Sequence, residues 1–195
     1  MDPDESPRWD CRWPDPVALK VAMERFLLEL GTNPDAVGDL HPTMPILVRM
    51  ETDVGAAGMT TALLVTPWGV ERVYWHRRDQ GAPPVESAIP LDGDAQGLVD
   101  KDQGVLLALG DRLQPALTAW EPETGHYFVE TLLHSVRDLN TAEQALAVAT
   151  GLQPPPPPGR SLTGHMQQPV SRRDLFDLFR RESANSRSQP LNRER

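Results

Sequence analysis

Residues 62–75 read ALLVTPWGVERVYW, and this stretch sets the fold class. With its flank, residues 60–66 (TTALLVT) form a short run of β-branched and large apolar side chains, the composition of a strand. Residues 70–77 (VERVYWHR) alternate Val73 and Trp75 against Tyr74 and His76, the two-residue period of a second strand. Between them, Thr66-Pro67-Trp68-Gly69 carries proline at the second position and glycine at the fourth, which suits a type I turn. The stretch therefore predicts a hairpin with Trp68 at its tip. Two readings of Trp68 stand open. An exposed indole on a rigid turn is a good anchor for a partner, whereas an indole folded back would close the end of the core.

Working outward, residues 45–51 (PILVRME), 87–91, 104–109, 116–120 and 126–133 are further strand candidates, joined by short connections that carry Gly, Pro or Asp. No helix intervenes, which points to an antiparallel sheet rather than βαβ units. Helical periodicity appears on either side of this region. In residues 15–30, Leu19, Met23, Phe26, Leu27 and Leu30 share one face, with Asp15 as N-cap, Pro16 at the first turn and Gly31 where a left-handed stop is expected. Residues 142–149 follow a T-x-x-Q capping box at Thr141 and Gln144, and Gly151 can end that helix. The expected fold is α+β: an antiparallel meander covered by an N-terminal and a C-terminal helix, then a Pro-rich linker and a short basic amphipathic helix. The expected divisions are an irregular acidic arm at 1–14, in which Trp9 and Trp13 can pack back on the body, an α+β domain at 15–152, the linker at 153–170, the short helix at 171–181 and a disordered tail at 182–195.

Charge divides the 195 residues unevenly. Net charge is −9, yet residues 151–195 hold eight Arg against four acidic residues, while residues 1–150 carry −13. An acidic body disfavours general nucleic-acid binding, which needs a cationic footprint, and the contrast marks the basic end as an interaction tail. Pro154–Pro158 would form a stiff polyproline II spacer. Beyond it, Leu175, Leu178 and Phe179 recur at helical spacing between Arg172, Arg173, Arg180 and Arg181. Cys11 is the single cysteine, so an intrachain disulfide, a CxxC redox pair and a cysteine-built zinc or iron–sulfur site are excluded. No apolar run approaches ~18 residues, so membrane insertion is not expected. Without a secretory leader at the start, the expected compartment is the cytoplasm.

Motifs for catalysis do not appear. There is no GxSxG turn, no GxGxxG after a strand and no GxxxxGK[ST]. His41, His76, His126, His134 and His165 are not at metal-ligand spacing, and no HExxH accompanies them. The expectation is a binding protein rather than an enzyme, with no cofactor and no metal. A stiff loop does stand out, Leu40-His41-Pro42-Thr43-Met44-Pro45: its two prolines fix φ near −65° and bias their predecessors to extended shapes. It either presents His41 and Met44 to a partner or serves as a rigid crossover with Met44 in the core.

Taken in order, LHPTMPILV at 40–48, ALLVTPWGVERVYW at 62–75, HYFVETLLHSVRDLNTAEQALAVA at 126–149 and SRRDLF at 171–176 resemble the HybE/HupJ family of [NiFe]-hydrogenase assembly chaperones. The resemblance spans roughly residues 15–181. The polyproline run and the acidic arm have no counterpart in it. It implies a maturation factor that binds precursors of the hydrogenase large or small subunit, with other maturation proteins as further partners, and that coordinates cofactor insertion with twin-arginine export. The residues it carries over as partner contacts, or as shapers of the contact surface, are His41, Pro42, Met44, Pro45, Pro67, Trp68, Arg172 and Arg173. The segment at 171–176 also looks like a twin-arginine motif without a following apolar region. It is either a signal mimic held in cis or an ordinary capped basic helix. Two other functions fit the sequence: an adaptor read through Pro154–Pro158, and a histidine-based metal carrier or metalloenzyme.

Overall fold

The computed structural model describes residues 6–33, 38, 40–51, 58–87 and 89–155. Arg172 and Arg173, the expected helix at 171–181, most of the linker and the tail lie outside the described residues. Among the described residues, seven strands form one antiparallel sheet: β1 (Leu47–Met50), β2 (Met59–Thr66), β3 (Gly69–His76), β4 (Val85–Glu86), β5 (Gly104–Leu109), β6 (Arg112–Glu121) and β7 (Gly125–Leu133). Helix α1 (Pro16–Leu30) precedes them and α2 (Ala142–Ala149) follows. The α+β class stands.

The simple meander does not. The order is β1-β2-β3-β7-β6-β5-β4, two runs of sequential strands joined where β7 pairs with β3. Every residue of β3 except Arg72 is buried, so an unpaired edge on that strand would leave backbone donors and acceptors away from water, at a high cost per group. β7 supplies the partner, and the chain between β3 and β5 swings out to the far edge. The strand expected at 87–91 is displaced as well. Only Val85 and Glu86 pair with β5, and Ile89 is 72% exposed. Pro83 and Pro84 lack N–H donors before the pair and Pro90 follows it, so the ladder cannot extend. β6 instead runs longer than expected, through Pro115. At that residue β6 pairs with β5 alone, because its pairing with β7 starts at Leu117. A proline is tolerated where the strand has only one neighbour.

Local signals place the helices. The Asp15 carboxylate accepts from the N–H groups of Val17 (3.0 Å) and Ala18 (2.9 Å), and the Thr141 hydroxyl accepts from Gln144 N–H at 3.1 Å. The Gln144 side chain reaches back to Asn140 N–H at 2.9 Å. Gly151 has φ +74°, the expected left-handed stop, but Gly31 is right-handed at φ −61°. There Thr32 and Asn33 donate to Glu29 and Leu30 carbonyls and continue the last turn without a left-handed residue.

Alternation along β2 assigns the two helices to opposite faces. Ala62 and Leu64 pack with Leu19, Met23, Phe26 and Leu30 of α1, while Leu63 and Val65 pack with Ala142, Ala145 and Leu146 of α2. Burying the four large α1 side chains contributes on the order of 8 kcal/mol before entropy is subtracted. On the α2 face, the outer strands carry a third cluster of Tyr74, Val105, Leu107 and Phe128. Trp9 of the N-terminal arm packs on it, with its ring 5.4 Å from Phe128, whereas Trp13 is 61% exposed.

Candidate functional site

The stiff loop at 40–45 and the Thr66–Gly69 turn, far apart as sequence motifs, meet at one end of the sheet. His41 N–H donates to the Pro67 carbonyl at 2.8 Å, and Thr43 N–H donates to His41 Nδ1 at 3.2 Å. The turn is fixed in its own way. Thr66 Oγ1 accepts from Gly69 N–H at 3.2 Å and donates to the Gly69 carbonyl at 3.1 Å. Glycine is required at 69 because a Cβ would lie 2.5 Å from the Leu133 carbonyl of β7. The two proline-held segments thus become one rigid ridge with few rotors to order on binding.

Only part of the expected contact set faces outward on this ridge. Pro42, Thr43 and Pro45 are exposed and His41 is half-buried, but Pro67 is buried. Met44, 5% exposed, sits among Leu63, Val65, Val136, Leu139 and Leu146 beneath α2. Trp68, also 5% exposed, meets Phe26 of α1 edge-on at 5.4 Å. Of the two readings of Trp68 and Met44, the core reading describes where they lie. An apolar side chain at a turn or loop is drawn inward when a neighbouring helix leaves space beneath it, because burial there is worth ~1.5–3 kcal/mol.

A polar network joins the arm to the sheet, and no local motif announced it. His126, 2% exposed, accepts from Asp10 N–H through Nδ1 at 2.8 Å, while its Nε2 lies 2.8 Å from the Val99 carbonyl. That pairing fixes the neutral Nε2–H tautomer, and burial pushes the imidazole below its ordinary value against the opposing pull of those bonds. The Asp10 carboxylate holds Arg12 at 2.7 Å and accepts from Trp120 Nε1 at 3.3 Å; Arg12 holds it below the usual carboxylate range. Cys11 lies between them. Burial, then the Asp10 charge, raises its thiol, which disfavours the nucleophilic thiolate. A second network on the α2 face ties β3 to β7 and to the residue that follows β1: Arg72 meets Glu51 at 3.0 Å and Glu130 at 3.4 Å, and Tyr74 donates to Glu130 at 2.5 Å. Burial and the Glu130 charge hold the Tyr74 phenol protonated far above its ordinary value. The hint in the sequence was the charged pair Glu71-Arg72 within a strand of mostly apolar residues.

The histidines are dispersed. Both His126 nitrogens are engaged, His76 Nε2 lies 3.2 Å from the Gly81 carbonyl, His134 is exposed, and His165 lies outside the described residues. Among the described residues no three His, Cys, Asp or Glu side chains converge as a metal-binding group, and no helix is long and apolar enough to cross a membrane.

Compared with known proteins, the chain matches no family model and no curated protein. Among solved structures it is similar to the solution structure of HybE from Escherichia coli, at 17% identity over 68% of this chain and 75% of that one, with a TM-score of 0.38.

Proposed function

We propose that this chain is an assembly chaperone that binds precursor subunits of a [NiFe] hydrogenase during cofactor insertion, subunit assembly and twin-arginine export. It acts in the cytoplasm, by binding alone, with no turnover. The observation that carries the reading is the junction between His41 and Pro67. Two of the four segments that resemble the HybE/HupJ family are, in this chain, a single stiff surface feature. Its contact residues are His41, Pro42, Thr43 and Pro45; Met44, Pro67 and Trp68 act from beneath, by fixing the shape of the ridge. Such a surface suits transient binding, since pre-organised loops lose little entropy on association.

The test is calorimetric titration of the full chain with hydrogenase large-subunit and small-subunit precursors. His41→Ala and Pro42→Asp should each weaken binding about tenfold or more, ~1.4 kcal/mol. Pro42→Asp should leave thermal unfolding unchanged because that side chain is exposed, while His41→Ala, which loses the bond from Thr43 N–H, should cost no more than about 1 kcal/mol. A full chain that binds neither precursor refutes the proposal. If a peptide of residues 150–162 binds a partner as well as the whole chain does, the adaptor reading through Pro154–Pro158 replaces it.

A further inference from the structure

The sheet does not close evenly. β7 pairs with β6 only from Gly125 to Val129 and then with β3 as far as Leu133. β6 meanwhile continues from Leu117 back to Arg112 beside β5 alone. The two strands part after the Leu117–Val129 pair, and a cleft of about 440 Å³ opens between them, lined by Val129 and Thr131 on one side and Leu106, Pro115 and Leu117 on the other.

Register places this cleft on the α1 face. Leu117 pairs with Val129, and Val129 and Ala119 both belong to the α1 core cluster. Leu106 and Pro115 follow on the same side, since Leu106 pairs with Pro115 two residues from Leu117. Here, though, no helix among the described residues lies over them. Leu106 is 37% exposed and Leu113, on the same face of β6, is 50% exposed. The opposite face of these strands is covered by Trp9, Val85 and Leu91, so the lack of cover is confined to one side. Among the described residues that line the cleft, Glu86 is the only charged one.

We propose that this cleft is the docking site of the chain's own basic segment, residues 171–181. Three observations favour that occupant over others. The first is reach. Fifteen residues, 156–170, separate the last described residue from the segment, and at ~3.3 Å per residue they span roughly 50 Å. A seven-stranded sheet is about 29 Å wide at ~4.8 Å per strand, so the segment can pass from the end of α2 round to the other face. The second is pattern. Leu175, Leu178 and Phe179 recur at helical spacing in the sequence, a pattern that would give a narrow apolar edge and so match a narrow apolar cleft rather than a broad face. The third is charge: the segment carries four Arg against two Asp, and it would meet an acidic body at a cleft whose one charged side chain is a carboxylate. The docked segment completes the cover of the α1 face and shields Leu106 and Leu113 from other chains. This inference is independent of the hydrogenase reading.

The experiment uses the full chain with Cys11→Ser and a spin label on Ser183→Cys, observed by methyl NMR. The result expected is loss of signal from the methyls of Leu106, Leu113 and Leu117, with α2 methyls unaffected. The loss should disappear with Leu175→Asp and Phe179→Asp, two changes remote from the sheet in sequence, and it should weaken with Glu86→Arg. Undiminished cleft methyls overturn the proposal. So does a loss that persists when spin-labelled, NMR-silent chain is mixed with unlabelled, NMR-visible chain, since the occupant is then a second copy.

Discussion

Trp68→Ala separates a core indole from a partner anchor. The side chain is 5% exposed, meets Phe26 at 5.4 Å and is walled by α1, Ile46 and Leu64. Removing a buried tryptophan costs ~3–5 kcal/mol, the aromatic pair included. One feature of the site lowers that figure. Trp68 Nε1 is buried and has no hydrogen-bond partner among the described residues, so the native state already bears a desolvation cost of ~1–3 kcal/mol that the alanine variant sheds. The expected loss is therefore near the lower bound, about 3 kcal/mol, or roughly 10 °C in the midpoint for a domain of this size. The same logic makes Trp68→Phe mild, about 1 kcal/mol or less, since it keeps most of the ring and removes the orphaned donor. Urea unfolding followed by far-ultraviolet circular dichroism measures both, with the denaturant slope checked for constancy. If Trp68→Ala unfolds within 1 kcal/mol of the native chain yet loses its partner, the indole is a contact residue and the burial argument fails. A Trp68→Phe penalty as large as that of alanine would mean that Nε1 has a partner after all.

Three further outcomes follow from the networks. His126 is held neutral and its folded pKa lies below the ordinary value near 6.5, so its contribution is present above that pH and lost as pH falls through the folded pKa. Melting from pH 7.5 to 5.5 should show this decline, and His126→Phe should be less stable at pH 7.5 but flatter with pH; parallel profiles would exonerate the histidine. Gly125 has φ +67°, and a Cβ there would collide with the Asp10 carbonyl and the Arg12 side chain. Gly125→Ala should thus cost about 2 kcal/mol and release the arm, read as faster proteolysis before Pro16, and a native digestion rate would contradict it. Tyr74→Phe removes the donor to Glu130 and should cost ~1.5–3 kcal/mol, because the acceptor is charged. In the native chain, ultraviolet titration should find this phenol un-ionised until the fold is lost to alkali, and reversible titration near pH 10 would be the contrary result.

How much was legible in the sequence follows from how far each cause reaches along the chain. Caps, turns and periods act over a few residues, so the sequence by itself determined both helices, the α2 boundaries, the hairpin around Thr66–Gly69 and the α+β class. The pairing of β7 with β3, the shrinking of the strand expected at 87–91 to Val85–Glu86, and the cleft where β6 leaves β7 all depend on which backbone edges remain unpaired once everything else has folded. The same holds for the site. Two stiff loops could be picked out by their prolines, but the His41–Pro67 bond and the burial of Met44 and Trp68 needed α1 and α2 in place on opposite faces. His126 had no signal at all, because its partners Asp10 and Val99 lie 116 and 27 residues away. Local chemistry chose the pieces of this protein, and competition for unsatisfied hydrogen bonds and uncovered apolar surface decided how they meet.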